Sequence, residues 1–512
     1  MTPVRVRFAP SPTGALHIGG VRTALYNYLL ARKTGGTFVL RIEDTDQKRF
    51  VEGAEAYIRE ALNWCGISPD EGPQIGGNYG PYRQSERKKI YQKYTQQLLD
   101  NGKAYYAFDT PEELDAKREA AKATGNHNFK YDAVTRLDMR NSLSLSSETV
   151  EKLLTDGTPY VVRLLVTPGE TVNIQDIVRG SVSFATDELD DKVLMKADGL
   201  PTYHLANIVD DHLMEISHVI RGEEWLPSTA HHVLLYRAFG WESEMPAFAH
   251  LPLILKPTGK GKLSKRDGQK LGIPVFPLAW KGATPEESFT GFREAGFDAR
   301  AVVNFLAFLG WNPGTEQEIF SLAELIEAFS LDKIGKSGAR FDFEKATWFN
   351  QQYIMATPEE ELLPAVKEVA LAAGYDASDD YLKGVTRLLR ERVNYLPEFI
   401  SNGRYFFEPV KEIEEKTIRK KWKPELRSRF EELKSTLSDV SLWQAPALKG
   451  TVVDFMESHE MGFGAVLPIL RVAISGTTKG PDAFEMMELL GKEKVVKRLE
   501  VGYDRFDELK KE

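Results

Sequence analysis

Two short stretches of this chain carry residue types suited to phosphate chemistry. The first, APSPTGALHIGG at residues 9–20, follows a strand-like run, Val4–Phe8, and opens a segment with helical spacing of apolar residues. Gly14, Gly19 and Gly20 let a ligand approach the backbone, a helix N-terminus favours an anion, and an imidazole such as His17 can donate to charge developing on a phosphoryl group. On its own, a glycine-rich strand-to-helix turn with one surface histidine is an ordinary structural element. The second stretch, KPTGKGKLSKRDG at 256–268, gathers Lys256, Lys260, Lys262, Lys265 and Arg266 in one loop, with Gly259, Gly261 and Gly268 expected to make it mobile. It is not a P-loop, because Leu263 follows Lys262 where that motif needs Ser or Thr. Its chemistry would be to clamp a polyphosphate and neutralise it as it leaves; alone, it reads equally as a solvated basic turn.

A third set suits an acidic amino acid. Arg7, Arg221 and Glu43 fall at expected strand ends. Guanidinium groups pair bidentately with carboxylates, and a carboxylate answers an ammonium. The run RIEDTD at 41–46 also reads as a set of structural salt bridges, with Arg41, Asp44 and Asp46 supporting Glu43. His204, His212, Asp210 and Asp211 are metal-ligating types, but their spacing fits no zinc signature, and a helix packed against the substrate site is the preferred reading.

These residues need elements to position them. Residues 1–95 alternate strand and helix signals: Val4–Phe8, then His17–Lys33, Thr37–Glu43 and Val51–Cys65. The rhythm predicts a parallel sheet with helices on its faces. Residues 96–195 change character and read as a mixed α/β insertion, after which 196–270 resume the α/β pattern. From about 285 onward the periodicity is almost wholly helical, as in Arg300–Leu309, Pro358–Ala373, Tyr381–Phe399 and Phe484–Leu490. The fold class expected is therefore α/β, a Rossmann-type parallel-sheet domain split by an insertion, with an all-α region after it. The length of 512 residues fits about three or four domains.

Composition excludes several classes. Hydrophobic residues are 42% and charged residues 28%, no apolar run is long enough to span a membrane, and MTPVRVRFAP lacks the apolar core of a signal peptide, so a cytoplasmic location without membrane association is expected. The single cysteine, Cys65, can form neither an internal disulfide nor a Cys-based zinc site, and reads as a buried thiol. A net charge of −9, from 66 basic and 75 acidic side chains, argues against indiscriminate nucleic-acid binding but leaves room for local basic patches.

Taken together, the motifs say more. The Pro-Ser-Pro-Thr-Gly-x-Leu-His-Ile-Gly turn with a downstream Lys-Leu-Ser-Lys-Arg resembles the "HIGH" and "KMSKS" elements of class I aminoacyl-tRNA synthetases. RIEDTD, GPYRQSER (80–87), DGLPTYHLANIVDDHLMEISHVIRGEEW (198–225) and FAHLPLIL (248–255) extend the resemblance to the bacterial-type glutamyl-tRNA synthetases over nearly the whole length; Gly20 stands at the last "HIGH" position. The resemblance implies ATP-dependent activation of glutamate and its transfer to tRNA(Glu), with ATP and Mg²⁺ required, a monomeric enzyme, and activation that needs bound tRNA. It implies catalytic roles for His17, Gly19, Lys262 and Lys265, and ATP contacts from His17, Gly19, Gly20, Glu224, Trp225, Ser264, Lys265 and Arg266. For glutamate it implies Arg7, Tyr203 and Asn207 at the side-chain carboxylate, Ser11 and Arg221 at the α-carboxylate, Glu43 at the ammonium, and Ala9 beside them. Some family members carry zinc in the insertion; the matching positions here are Ala107, Asp109, Thr135 and Leu137, so no zinc is expected. Residues 271–340 would contact the tRNA stem and 341–512 bind the anticodon, with Arg392 and Arg471 as base readers. The basic run KTIRKKWKPELRSR (416–429) is either a phosphate-contact face or a solvated helix face. Residues 271–292 are longer and more aromatic than the family's usual link, and packing on the tRNA stem is expected of them.

Four rivals differ in testable features. A glutaminyl-tRNA synthetase would have β-barrels in place of the helical C-terminal region. The short relative that modifies a tRNA base lacks an anticodon-binding part. A non-catalytic tRNA-binding paralogue would be expected to lose groups such as His17, Glu43 and Lys265, and a small-molecule nucleotidyltransferase has no use for a helical C-terminal region.

Overall fold

The structure, a computed structural model, describes residues 3–282 and 284–511. The chain forms two compact units. One runs to Glu294 and takes in Val302–Phe343; the other consists of Ala295–Ala301 and the chain from Glu344.

The first unit contains, in order, β1 (Arg5–Phe8), α1 (Ile18–Thr34), β2 (Thr37–Leu40), α2 (Ala54–Trp64), α3 (Lys88–Asp100), β3 (Ala104–Ala107), α4 (Pro111–Ala123), α5 (Ser147–Thr155), β4 (Val161–Leu164), β5 (Thr171–Asp176), β6 (Gly180–Ala185), β7 (Val193–Met195), α6 (Tyr203–Leu213), β8 (His218–Gly222), α7 (Leu226–Phe239), β9 (Ala247–Leu251), β10 (Ile254–Leu255) and α8 (Lys265–Leu271). Its main sheet has the order β2-β1-β8-β9-β5-β6 and is parallel throughout except for the edge hairpin β5–β6. The chain leaves β1 for β2 on one side, whereas β8 closes the other side. A crevice therefore opens at the carboxyl ends of β1 and β8, where open α/β sheets bind ligands.

The alternation Arg-Val-Arg-Phe in β1 has the form of a half-exposed strand, yet all four residues are buried. The arginines are accommodated by carboxylates: Arg5 forms a bidentate pair with Glu71 at 2.9 and 3.0 Å, and Arg7 one with Asp211 at 3.0 and 3.3 Å. The insertion builds its own antiparallel sheet, β3-β4-β7. One boundary differs from expectation. Residues 171–185 fall inside the expected insertion, but β5 pairs with β9 through Asp176 and Phe248, so the hairpin belongs to the main sheet. Residues 271–292 pack on the unit itself: Val275, Phe276, Leu278 and Phe292 are buried, the Ile18 amide donates to the Val275 carbonyl, and the Tyr57 hydroxyl donates to the Leu278 carbonyl at 2.5 Å.

The second unit is helical, with no strand among its described residues. Its core includes Trp422, Phe430, Tyr503 and Phe506, with Trp422 Nε1 donating to Asp507. The helix expected over 381–399 stops at Leu389. A turn at Arg390–Arg392 and an extended Val393 follow, and a short helix resumes at Glu398–Ser401. Within the basic run 416–429, Lys421 donates to the Gly464 carbonyl, Arg427 binds Glu431, Asp504 and Asp507, and Arg429 donates to the His459 carbonyl, while Lys416, Arg419, Lys420, Lys423 and Arg429 are exposed, in keeping with a solvated helix face. Among the described residues, no helix is long and apolar enough to cross a membrane.

Candidate active site

The carboxyl ends of β1 and β8 open into a cavity of about 1000 Å³. Of the residues singled out above for substrate chemistry, Arg7, Ala9, Ser11, His17, Gly19, Gly20, Glu43, Tyr203, Asn207, Arg221, Glu224, Trp225, Lys262, Ser264 and Lys265 line this one cavity. Arg266 does not; it is exposed in the first turn of α8.

At the phosphate end, His17 is the N-cap of α1. Its Nδ1 accepts from the Gly19 amide at 3.1 Å, so the proton sits on Nε2, a buried donor without a partner among the described residues. Burial, and then the charges of Lys265 and Lys262, push the imidazole pKa down to about 4, so His17 is neutral at neutral pH. The helix terminus itself is not an open anion site. The Ile18 amide goes to Val275, the Gly19 amide to His17, and the Gly20 and Val21 amides to the His17 carbonyl. The glycines serve packing as much as access: a Cβ at Gly19 would lie 3.3 Å from His17 Nδ1, and one at Gly20 only 2.5 Å from Leu16. Phe276, from the segment after the lysine loop, stands edge-on to the His17 ring at 6.0 Å and lies 5.7 Å from the Lys265 ammonium.

The lysine loop is ordered by its own charges. Lys256 pairs with Asp267 at 2.9 Å, Lys262 with Glu224 at 2.5 Å, and Lys265 donates to the Ala15 carbonyl at 2.9 Å. Ser264 caps α8 in a reciprocal box with Asp267, whose pKa is pushed down to about 2 by hydrogen bonds from Ser264 and Lys256. Gly268 is not part of a mobile loop; it is buried inside α8, where a Cβ would meet Val275 at 2.5 Å.

At the other end, buried charges form a network. Fully buried Arg41 reaches Asp211 at 2.7 Å, Glu43 at 3.2 Å and Asp210 at 3.8 Å. Asp210 is held further by Arg87, Gln84 and Tyr91. Asp44 and Asp46 stand apart from Glu43. Asp44 accepts from the Ser85 amide and hydroxyl, and exposed Asp46 pairs with Arg49. Burial pushes the Glu43 carboxyl above the usual carboxylate range, opposed by Arg41 and Arg7. Asn207 donates to Glu43 at 3.1 Å, and Tyr203 receives a hydrogen bond from Arg221 at 2.8 Å, so these two partner Glu43 and Arg221 rather than Arg7. Unlike Arg7 and Arg41, Arg221 has no carboxylate partner among the described residues. His250, His232 and Thr229 face it instead, and sequence inspection singled out none of the three. His204, Asp210, Asp211 and His212 do not converge: the two aspartates hold arginines, His212 stacks on Trp241, and His204 packs on His231 and His232.

In the insertion, Asp109 accepts from the Tyr131 hydroxyl and the Arg140 amide, Thr135 donates to the Lys130 carbonyl, and Leu137 is exposed. In the second unit, Arg471 donates to the carbonyls of Thr478 and Pro481 and shares the field of Tyr405 with exposed Arg392. Tyr405 carried no sequence signal.

Comparison with known proteins follows this geometry. Residues 3–348 match the family described as tRNA synthetases class I (E and Q), catalytic domain, and residues 359–503 match the family described as anticodon binding domain. The glutamate–tRNA ligases of Porphyromonas gingivalis and Phocaeicola vulgatus are 54% and 53% identical to the chain, each over 97% of the chain and 97% of the relative. A crystal structure of a glutamate tRNA ligase from Elizabethkingia meningosepticum in complex with its amino acid superposes with a TM-score of 0.95 at 49% identity, covering 98% of this chain and 99% of that one. The glutamate–tRNA synthetase of Elizabethkingia anophelis gives a TM-score of 0.93 at 48% identity, covering 98% and 100%.

Proposed function

The chain belongs to the class I tRNA synthetases of the glutamate and glutamine group, and from that premise we infer that it ligates L-glutamate to the 3′ end of tRNA through a glutamyl-adenylate. An α-carboxylate oxygen of glutamate attacks the α-phosphorus of ATP, and the bond to the bridging oxygen breaks with release of pyrophosphate. A hydroxyl of the terminal adenosine then attacks the acyl carbon, and AMP leaves. No enzyme nucleophile is required; orientation and electrostatics carry the rate.

The residues divide the work as follows. His17 Nε2–H, buried and without a protein partner, donates to the α-phosphate as charge develops there. Lys262 and Lys265 leave their present partners, the Glu224 carboxylate and the Ala15 carbonyl, for the phosphates. Glu43 binds the ammonium, and Arg7, whose Nη1 has no partner among the described residues, binds a carboxylate. Magnesium requires oxygen ligands, and the phosphate end of the cavity is lined mainly by cationic side chains with Glu224 paired to Lys262. The ATP phosphates themselves would therefore hold the ion, which neutralises charge on the leaving pyrophosphate.

One observation carries the choice of substrate: a buried arginine, Arg221, faces the cavity with no carboxylate in contact with it among the described residues. The resemblance gives Arg221 to the α-carboxylate and Arg7 to the side-chain carboxylate; because Arg7 is already paired with Asp211, we assign Arg221 to the side-chain carboxylate instead, the charge that glutamine lacks. The helical second unit favours the same choice over a glutaminyl enzyme. For tRNA, we propose that Arg392, Arg471 and Tyr405 form the anticodon-reading cluster and that tRNA(Glu) is charged in preference to tRNA(Gln).

Aminoacylation with labelled glutamate, run in parallel on purified tRNA(Glu) and tRNA(Gln), tests the proposal. Charging of tRNA(Glu) alone is expected. Charging of both would overturn the tRNA selectivity, and charging of neither, with ATP and magnesium present, would overturn the enzymatic assignment. Pyrophosphate exchange is expected to need tRNA; an equal rate without it would remove that part.

A further inference from the structure

Arg221 has five N–H donors, and every one ends on a neutral acceptor. Nε donates to His250 Nε2 at 3.0 Å. Nη1 donates to the Tyr203 hydroxyl at 2.8 Å and to His232 Nδ1 at 3.3 Å. Nη2 donates to Thr229 Oγ1 at 2.8 Å and to the Trp225 carbonyl at 3.5 Å. The five partners fall into two groups. Tyr203 and Trp225 line the cavity; His232, His250 and Thr229 do not, and all three are fully buried behind the guanidinium.

The tautomers follow from the contacts. A guanidinium has no lone pair to offer, so His250 Nε2 and His232 Nδ1 must both be unprotonated acceptors. The His250 proton is on Nδ1, which donates to Asp176 Oδ2 at 2.6 Å. Asp176 is fixed in turn by the amides of Val178 and Arg179, and it sits at the end of β5, the strand that the hairpin adds to the main sheet. The His232 proton is on Nε2, which has no partner among the described residues. The neighbouring arginines are held quite differently: Arg7 is bidentate to Asp211, and Arg41 touches three carboxylates. Carboxylates are the commoner partners for a buried arginine, because they offset its desolvation. Around Arg221 no carboxylate among the described residues touches the guanidinium; Asp176 lies one hydrogen bond away, behind His250, and imidazole lone pairs do the orienting.

We propose that His232 and His250, the latter backed by Asp176, are positioning residues that hold the Arg221 guanidinium by neutral lone pairs and so reserve its charge for a carboxylate of the substrate. This rests on the assignment of glutamate as substrate and extends it, because it says how the site keeps one arginine free of direct carboxylate contact while its neighbours are paired. A carboxylate entering on the cavity side meets Tyr203, whose hydroxyl proton is free to point outward because its oxygen already accepts from Arg221.

The test compares variants by pyrophosphate exchange in the presence of tRNA, with KM measured separately for glutamate and for ATP, and with kcat/KM for glutamate compared with that for glutamine. His232→Asn and His250→Gln keep an acceptor in place of the facing nitrogen, and each is expected to hold the glutamate KM within about threefold of wild type. His232→Leu removes the acceptor and is expected to raise the glutamate KM at least tenfold, with kcat and the ATP KM within twofold. His232→Asp installs a resident anion; it is expected to raise the glutamate KM at least a hundredfold and to lower the preference for glutamate over glutamine at least tenfold. Thermal melts establish which variants fold, and if His250→Gln does not, the His232 series stands alone. A His232→Asp enzyme that keeps its preference for glutamate, or Leu and Asn variants that shift KM equally, overturns the proposal. A wild-type enzyme that does not activate glutamate overturns the substrate assignment instead.

Discussion

Glu43→Gln removes one negative charge from the glutamate end of the site while preserving its shape and a hydrogen-bond acceptor. Two consequences separate. Burial holds the Glu43 carboxyl above its ordinary pKa, so at neutral pH the ionised form is less favourable in the folded protein than in the unfolded chain. Arg41 keeps Asp211 at 2.7 Å and Asp210 at 3.8 Å, so its buried charge stays compensated in the variant. The melting temperature at pH 7.5 is therefore expected to stay level or rise. As the pH falls through the folded-state value toward the ordinary 4.5, the wild-type carboxyl takes up its proton in the folded state first, and any stability gap between the two proteins closes. Activity moves the other way. The substrate ammonium loses the charged partner proposed for it, and losing one member of a buried charge pair costs about 2–5 kcal/mol, or roughly 30- to 5,000-fold in kcat/KM for glutamate. The KM for ATP, read in the same exchange assay, is expected to hold. A variant that exchanges within threefold of wild type, or that melts several degrees lower at pH 7.5, would refute the assignment of Glu43 as a costly charge kept for the ammonium.

Three further outcomes are expected. His17→Ala removes the Nε2–H donor, so kcat is expected to fall about 100- to 1,000-fold in a protein that still folds; an unaltered kcat would remove His17 from the phosphate chemistry. Arg471→Ala is expected to raise the KM for tRNA about tenfold or more without moving the KM for glutamate or ATP, given about 1–3 kcal/mol for a base-edge contact, and filter binding with tRNA(Glu) checks it. Cys65 is buried, with burial pushing its thiol pKa up to about 12, so the native enzyme is expected to resist a thiol reagent at pH 8 and to react fully once denatured; rapid native labelling would contradict the packing of α2.

The sequence was informative where chemistry depends on local spacing. The turn at 9–20 and the loop at 256–268 set His17, Lys262 and Lys265 on short segments, and each reached the cavity. Partnerships that cross the chain were not legible. Arg7 and Asp211 lie 204 positions apart, and nothing in either segment says that they pair. The β5–β6 hairpin follows insertion strands in sequence, yet a single register contact between Asp176 and Phe248 carries it to the main sheet. That displacement is what puts Asp176 behind His250. The basic run 416–429 reads as surface and is mostly so: Lys416, Arg419, Lys420, Lys423 and Arg429 are exposed, and what the sequence did not show is that Lys421 and Arg427 are held by the Gly464 carbonyl and by Glu431, Asp504 and Asp507. Spacing reports which face of an element a side chain occupies, not which distant group waits there.

The charges around the glutamate end then account for the selectivity as a single electrostatic condition. Arg7, Arg41 and Arg87 bring three positive charges that Asp210, Asp211 and Glu43 meet directly, whereas Arg221 touches no carboxylate among the described residues and has Asp176 one hydrogen bond away, behind His250. The ammonium and α-carboxylate of an amino acid cancel one another, so a ligand with one further negative charge gives Arg221 a direct anionic partner. Glutamate provides it. Glutamine fits the same space but leaves the Arg221 guanidinium without a direct anionic partner. Shape alone discriminates poorly between an acid and its amide, which are nearly isosteric, whereas an unpaired charge discriminates strongly. The condition holds only while the groups orienting Arg221 remain neutral, and that is the physical reason for the site to use imidazoles where its neighbours use carboxylates.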